Sequence, residues 1–147
     1  FQNATFDSVV CFEVFEHVFN IDEILGEVGR VMKPDGSLLI SIPFAWHEHE
    51  VPYDFARYTS YGIRHVLEKN GFDVVETEKT TTSILAMFQL FIIYVHEHIL
   101  PLKGVLSKIL RLIVIFPMNL MALTMNAVLP KRTDFYSGLV ILAKKAG

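Results

Sequence analysis

FDSVVCFEVFEHV at residues 6–18 and RVMKPDGSLLISIP at residues 30–43 decide the fold of this chain. Within them, Val9–Phe12 and Leu38–Ile42 are short apolar runs that contain β-branched residues. Runs of this kind are typical of strands covered on both faces in a parallel sheet. The front of the chain therefore predicts two neighbouring strands.

An amphipathic helix is predicted between these strands. Asn20 is the expected N-cap, with Glu23 as its capping-box partner, and Lys33-Pro34-Asp35-Gly36 ends the helix and turns the chain. The apolar residues at helical spacing are Ile21, Ile24, Leu25, Val28, Val31 and Met32. A strand, a helix and a strand joined this closely predict a right-handed parallel crossover. Such sheets bind ligands at the carboxyl ends of their strands.

The rest of the chain predicts one more helix, capped by Thr59 and ended by Gly71, and two more strands at Phe72–Lys79 and Tyr136–Lys144. Phe44–Tyr58 has neither helical nor strand periodicity, is rich in aromatic and charged residues, and is long for a connection. We therefore expect a functional or lid loop there.

Composition excludes some classes of function. A net charge of −3 and a pI near 6.1 give no basic face of the kind that binds nucleic acid. Cys11 is the only cysteine in the 147 residues, which excludes an internal disulfide and indicates a reducing compartment. The chain shows no signal peptide, and its start at Phe1, six residues before a core strand, suggests that the front of a domain lies elsewhere.

The mean hydropathy of +0.39 is high for a soluble domain, and the excess is concentrated between Ile84 and Leu129. Ile84–Val95 has no charge, but as a helix it would span only about 18 Å, less than the roughly 30 Å hydrocarbon core of a bilayer. Leu112–Leu129 is longer but contains Pro117 and two asparagines. Because the last strand must return to the same sheet, an odd number of membrane spans is excluded.

We therefore predict two or three helices that form an apolar hairpin, which dips into one leaflet or lies on the membrane surface. Its flanking basic residues suit anionic headgroups; they are Lys103, Lys108, Arg111, Lys131 and Arg132. A soluble helical cap over the active site, or a dimer interface, is the alternative interpretation of the same segment. The predicted domain limits are 1–82 with 133–147 for the α/β part and 83–132 for the helical insertion.

These segments resemble the carboxyl-terminal half of class I S-adenosylmethionine-dependent methyltransferases. FDSVVCFEVFEHV and RVMKPDGSLLISIP are similar to that family's fourth and fifth strands, and RYTSYGIRHVLEKNGFDVVE at residues 57–76 to the next helix and sixth strand. Tyr136–Lys144 would be the seventh, antiparallel strand. The resemblance implies an α/β fold with a partial Rossmann-like sheet, in the order four, five, seven, six, interrupted by the apolar hairpin.

One departure from the family pattern is large. The glycine-rich loop after the family's first strand, and the acidic residue that ends its second strand, have no counterpart in this sequence. We therefore expect the first three strands to be absent, the remaining part to be inactive by itself, and the fourth strand to present an exposed apolar edge.

By resemblance, Cys11, Phe12 and Glu13 would line the place of the cofactor S-adenosylmethionine; plain strand packing is the alternative for Cys11 and Phe12. If Glu13 opens a helical turn, it shares one face with Glu16 and His17. This E-x-x-E-H pattern is then a candidate Mg²⁺ site. It resembles the magnesium motif of small-RNA 2′-O-methyltransferases and of ubiquinone-pathway O-methyltransferases, although the pair of acidic and histidine residues can equally shape the pocket floor.

His17 is also a candidate catalytic base, as are two histidines of the following loop. His47 and His49 would point the same way in an extended backbone, and imidazole exchanges protons near neutral pH; a solvated polar loop is the alternative. Asp54, Arg57 and Tyr58 are similar to the family's D-x-x-R-Y-T signature. There Arg57 either binds an acidic acceptor or pairs with Asp54, and we expect the pairing.

Together these features predict an S-adenosylmethionine-dependent methyltransferase whose acceptor is a small or lipid-linked molecule. Similar sequences look like bacterial methyltransferases encoded among polysaccharide or lipid-linked glycan functions. The expected location is cytoplasmic, peripheral to the inner face of the membrane. Two other hypotheses remain open, namely a non-catalytic module that interacts with membranes and a metal-dependent enzyme that uses E-x-x-E-H.

Overall fold

A computed structural model of the chain describes residues 1–100 and 104–146. The described residues form one four-stranded sheet and two compact units, residues 1–80 with 137–147 and residues 81–136. The strands are β1 (Phe6–Phe12), β2 (Met32–Pro43), β3 (Phe72–Thr82) and β4 (Tyr136–Lys145). The sequence analysis placed the domain limits between residues 82 and 83 and between residues 132 and 133, and these limits stay a prediction.

The sheet has the order β1-β2-β4-β3, so the predicted order of strands four, five, seven and six is confirmed. β1 and β2 are parallel, with Val9 opposite Leu38 and Phe12 opposite Ser41. The helix α1 (Ile21–Val31) forms the crossover between them. β4 pairs with β2 in the antiparallel sense. The carboxyl ends of β1 and β2 therefore meet at one edge, from which the site is built.

The core lies on β2 because its alternate side chains are fully buried there. Leu38, Ile40 and Ile42 of β2 are at most 1% exposed, and Leu25 of α1 is buried as well. Fully buried side chains also come from the second helix, from β3 and from β4; they are Ile63, Leu67, Phe72, Leu139 and Ile141. Burial of these apolar side chains fixes the register of the sheet.

β1 is an edge strand, and Val10 and Phe12 are each 56% exposed. The interpretation of β1 as a strand covered on both faces is therefore wrong for the described residues, because Val10 and Phe12 share one face and both are exposed there. The predicted exposed apolar edge is confirmed. The prediction of a capping box at the start of α1 is also wrong. The Asn20 side chain makes no hydrogen bond to the helix backbone, and it donates to Glu23 Oε2 at 3.1 Å.

The helix α2 (Ser60–Lys69) follows the loop after β2 and begins as the sequence predicts. The Thr59 hydroxyl accepts a hydrogen bond from the Gly62 N–H at 3.0 Å. Gly71 follows the helix with a φ of 79°, a conformation that favours glycine. The local signals at both ends of α2 thus agree with the structure.

The second unit contains α3 (Ile84–Tyr94), a π-helical turn at Val95–Ile99, and α4 (Val105–Val128), which packs on α3. We call α3, the π-helical turn and α4 together the hairpin. α4 continues through Pro117, and its 24 residues make it about 36 Å long. By length and composition alone, Ser107–Val128 is a helix that could cross a membrane. Lys103, one of the predicted flanking cations, lies outside the described residues.

Candidate functional site

The site begins where β1 ends. Glu13 has a φ of 50°, and its N–H donates to the Ser41 carbonyl oxygen at 3.1 Å. The Ser41 hydroxyl donates in turn to Glu13 Oε1 at 2.5 Å. Because the next helical turn spans only Phe15–His17, Glu13 lies outside it. The expected single helical face of Glu13, Glu16 and His17 is therefore wrong, and the Glu13 carboxylate lies against β2.

The short turn after β1 buries a carboxylate. Phe15 and Glu16 are 1% and 0% exposed, and neither Glu16 oxygen has a hydrogen-bond partner among the described residues. Burial raises the pKa of Glu16 and the nearby Glu13 charge adds to the rise, whereas the residue's own backbone N–H, His17 and His49 oppose it. A buried carboxyl without a donor is costly in its ionised form, so this group favours a proton or a cation beside it.

His17 is held in one orientation by the loop that follows β2. Its Nδ1 lies 2.7 Å from the Tyr53 carbonyl oxygen, and a carbonyl only accepts, so Nδ1 carries the proton in this geometry. Nε2 is then the atom with the lone pair in the neutral ring. It lies 3.7 Å from Glu16 Oε1 and 4.0 Å from Glu50 Oε2.

His49 joins His17, and its neighbour His47 does not. The rings of His17 and His49 meet edge to face with 4.8 Å between centroids, whereas the His47 ring stacks on Trp46 at 5.4 Å. The His49 N–H donates to Asp54 Oδ2 at 2.9 Å, and its Nδ1 lies 3.3 Å from the His47 carbonyl oxygen. We call Glu16, His17 and His49 the site cluster.

Asp54 and Arg57 hold the loop in place as an ion pair. Arg57 Nη1 and Nη2 donate to the two Asp54 oxygens at 2.5 and 2.6 Å, and Nη2 also donates to the His47 carbonyl oxygen at 3.1 Å. The hydrogen bonds from Arg57 hold the pKa of Asp54 well below its usual range, and those to Asp54 raise the pKa of Arg57. The pairing expected from D-x-x-R-Y-T is therefore present.

The same loop is bonded directly to the turn after β1. The N–H groups of Phe55 and Ala56 donate to the Glu16 carbonyl oxygen at 2.8 and 3.2 Å. Beside this contact is a cavity of about 180 Å³, lined by Trp46, Glu48, Asp54, Phe55, Ala56 and Arg57. The backbone of Glu16 thus fixes the loop, and the loop in turn fixes the imidazoles.

Sequence reasoning found some members of this site and missed others. Ser41, Tyr53 and Glu50 were not singled out. Ser41 had one usable signal, its place near the end of a predicted strand beside Glu13, whereas the Tyr53 contact is made by a backbone carbonyl and leaves no trace in side-chain patterns. The structure brings together Glu16, His17 and His49 from segments that are distant in sequence.

The arrangement can exchange protons or hold a cation. The ligand atoms of the site cluster all lie within 4.8 Å of one another.

Cys11 and Phe12 are half-buried and exposed, respectively, at the end of β1, and burial raises the pKa of the Cys11 thiol. With Glu13 they lie at the carboxyl end of β1, the edge at which sheets of this type bind ligands.

A parallel β1-α1-β2 unit, with β4 inserted antiparallel and polar groups at the carboxyl ends of its strands, defines a Rossmann-like α/β protein of the methyltransferase type. A family model described as a methyltransferase domain matches residues 1–77. The chain therefore belongs to the methyltransferase domain family, and the resemblance found in the sequence is confirmed. A comparison with curated protein sequences gave no match.

Solved structures share this fold at low sequence identity. The chain is similar to the cyclase SpnF (12% identity, TM-score 0.58), covering 99% of this chain and 53% of that one. A putative sarcosine dimethylglycine methyltransferase from Galdieria sulphuraria gives 13% identity and a TM-score of 0.56, covering 99% and 55%. A third similar structure is phosphoethanolamine N-methyltransferase 2 from Haemonchus contortus, solved with S-adenosyl-L-methionine. The sequence identity is 17% and the TM-score is 0.57, and the match covers 100% of this chain and 35% of that one. The chain thus spans about half or less of these proteins.

Proposed function

We propose that this chain forms the acceptor side of an S-adenosylmethionine-dependent methyltransferase. Bound S-adenosylmethionine supplies an activated sulfonium methyl group. Cys11, Phe12 and Glu13 fit one wall of its site, because they lie at the carboxyl end of β1 beside the site cluster. No glycine-rich loop occurs in the 147 residues, so a donor-binding half of that kind is needed for activity.

The observation that carries this proposal is the fixed orientation of His17. With its Nδ1 proton directed at the Tyr53 carbonyl oxygen 2.7 Å away, the neutral ring keeps Nε2 free to accept a proton from an acceptor hydroxyl or amine. Glu16, buried 3.7 Å from Nε2, would stabilise the imidazolium that forms. Positioned acid–base groups of this kind contribute roughly 10²–10⁴-fold to a rate. His49 is the second candidate, and His47, stacked on Trp46, is the least suited.

Donor binding is tested separately from chemistry. S-adenosylmethionine is titrated calorimetrically into the chain with a glycine-rich βαβ segment joined ahead of residue 1. We expect saturable binding there and much weaker binding without the added segment. We call the chain with this added segment the completed protein. If the completed protein does not bind S-adenosylmethionine, the proposal that the chain is part of a methyltransferase is wrong. SpnF, a cyclase of the same fold, shows why methyl transfer must be measured as well, since a fold does not fix a reaction.

The acceptor that we propose is a small molecule with a hydroxyl or amine, carried on a lipid. The support for the lipid is the hairpin, where Leu112–Pro130 contains no charged residue. Its large apolar side chains that are 48–65% exposed include Met87, Phe91, Tyr94, Ile109, Leu112, Ile113, Phe116, Leu120 and Leu123. Exposed apolar surface on this scale marks a protein or membrane contact. Lys108, Arg111, Lys131 and Arg132 border it, as expected beside anionic headgroups.

The same observation supports a second candidate function, a membrane-interacting module without catalysis. Both functions predict that the chain floats with vesicles of anionic lipid, peripheral to the inner face of the membrane in the cell. Only the enzyme transfers labelled methyl groups from S-adenosylmethionine to a membrane lipid extract. Flotation that survives replacement of Glu16 and His17, with no methyl transfer by the completed protein, would favour the module.

A divalent ion is the alternative partner of the buried Glu16 carboxylate. The predicted Mg²⁺ ligands were two carboxylates and one imidazole, whereas the structure gathers two imidazoles and one carboxylate. Mg²⁺ prefers oxygen ligands, so this set suits it less well. Methyl transfer that is lost in EDTA and restored by Mg²⁺ would support the ion, and transfer unaffected by EDTA would remove both Mg²⁺ and the metal-dependent alternative.

A further inference from the structure

A second cavity, of about 480 Å³, lies wholly within the second unit at the foot of the hairpin. It is lined by the first turn of α3 and by the segment that follows α4. We call it the foot groove. Its apolar walls are Ile84, Met87, Leu129, Pro130 and Phe135. Cavities of roughly 300–1,000 Å³ are the usual size of small-molecule sites, so its volume suits a single ligand molecule.

The two walls of the foot groove are joined by hydrogen bonds at Ser83. The Ser83 N–H donates to the Phe135 carbonyl oxygen at 2.9 Å, and the Arg132 N–H donates to Ser83 Oγ at 2.6 Å. The Ser83 hydroxyl also donates to the Arg132 carbonyl oxygen. Because the backbone is held on both sides, the groove is formed before any ligand enters. A preformed apolar site loses less free energy in ordering itself on binding.

Charge at the rim of the foot groove distinguishes it from a plain apolar surface. The Arg132 guanidinium pairs with Asp134 Oδ2 at 2.6 Å, and both side chains are exposed. Lys131 does not itself line the groove, but it lies in the chain between Pro130 and Arg132, which do, and it adds a further cation. Two cations and one carboxylate leave one excess positive charge beside an apolar cleft, which suits an amphiphile with an anionic head.

The apolar surface continues from the foot groove along α3. Met87 lines the groove and is 57% exposed, and Phe91 and Tyr94 follow at helical spacing with 55% and 56% exposure. Residues at i, i+4 and i+7 lie on one helix face. A chain that leaves the groove would therefore meet more apolar surface.

We infer that the foot groove binds the hydrocarbon chain of one anionic amphiphile, with the head beside Lys131 and Arg132. The inference rests on the proposed function, because it assigns the tail of the lipid-linked acceptor to a site in the second unit. The apolar walls supply the affinity through burial of methylene groups, and the cations at the rim select the sign of the head.

The test uses cis-parinaric acid, a fatty acid that fluoresces in apolar surroundings, added to the 147-residue chain without detergent or S-adenosylmethionine. Met87→Trp fills the groove, and Met121→Trp is the matched control, since Met121 is an exposed methionine of α4 that does not line it. We expect Met87→Trp to weaken binding at least ten-fold and Met121→Trp to change it less than two-fold. Saturated fatty acids of increasing length should compete about three- to four-fold better per methylene buried.

The preference for an anionic head is tested with an alkyl trimethylammonium ion whose alkyl chain has the same length as that of a competing fatty acid. The cation should compete with the probe several-fold less well than the fatty acid. Arg132→Gln should reduce that difference. Equal weakening by both tryptophan variants would place the probe on the general apolar surface of the hairpin and overturn the proposal, as would a complete absence of saturable binding. This binding experiment contains no methyl donor, so its result is independent of the methyl-transfer assay. A groove that binds no probe would therefore not disprove methyl transfer, and absence of methyl transfer would not disprove binding to the groove.

Discussion

Nδ1 of His17 donates to the carbonyl oxygen of Tyr53 at 2.7 Å, across 36 residues of sequence. This bond joins the turn after β1 to the loop after β2, and it determines which nitrogen of His17 remains free. Metal-binding and catalytic histidines are commonly oriented in this way. The following predictions depend on this bond and on the groups around it.

Replacing His17 by asparagine separates its structural role from its chemical role. Asn Nδ2 occupies the position of His Nδ1 and preserves the donation to Tyr53, but no atom replaces Nε2. We expect methyl transfer by a completed, donor-binding protein to fall by roughly 10²-fold or more, with little change in melting temperature. His65→Asn, on α2, is the control. Full activity in His17→Asn would rule out His17 as the base.

Glu16→Gln should change stability in a pH-dependent manner. Since burial raises the Glu16 pKa above its ordinary value of 4.5, the carboxyl stabilises the fold only while protonated. Its contribution is complete below the ordinary value and is lost as the pH rises through the folded-state pKa. The variant should therefore gain stability over the natural chain at higher pH and lose that gain in acid.

The measurement is the free energy of unfolding in urea at several pH values, with Glu68→Gln on α2 as an exposed control. If Glu16→Gln increases the free energy of unfolding by the same amount at every pH, the prediction that burial raises the pKa of Glu16 is wrong. A gain of about 1 kcal/mol would raise the melting temperature by roughly 2–4 °C.

Arg57→Lys should loosen the loop, because lysine cannot make the two parallel hydrogen bonds to Asp54. Asp54 is 4% exposed, so we expect a loss of about 1–3 kcal/mol and faster hydrogen exchange at the N–H groups of Phe55 and Ala56. Arg64→Lys is the matched control, since its pair with Glu68 is exposed and 3.6 Å apart. Equal effects of both substitutions would contradict the proposed role of Arg57.

Phe116→Glu should weaken binding to anionic vesicles. Phe116 is 61% exposed on α4, and removal of one phenylalanine from a lipid phase costs about 2 kcal/mol, or roughly thirty-fold in partitioning. Tyr61→Glu, 83% exposed on α2, is the control for an added charge. Flotation that is equal in both variants would argue that the hairpin does not enter the bilayer.

Val10→Lys should reduce self-association of the chain. Val10 lies on the open edge strand β1 and is 56% exposed, and a lysine on an edge strand opposes edge-to-edge pairing. Sedimentation should show less high-molecular-weight material at unchanged helix and strand content. Tyr61→Lys, at an 83% exposed position on the helix α2, tests whether any added charge has the same effect.

The sequence pattern by itself determined the order of strands and helices, because strand and helix periodicity depend on neighbours within a few residues. The strand order of the sheet and the family followed from the resemblance of these segments to methyltransferases. The ends of α2 were predictable from the local pattern as well, since Thr59 and Gly71 act on the adjacent backbone.

Only the tertiary structure decided the membership and orientation of the site cluster. Sequence spacing grouped Glu13 with Glu16 and His17, but the positive φ of Glu13 directs it to Ser41. His49 takes its place beside His17 because loop carbonyls and the Asp54–Arg57 pair fix the backbone. Backbone hydrogen bonds between distant segments have no residue-type signature, so no local pattern could have shown which imidazole meets the buried carboxylate.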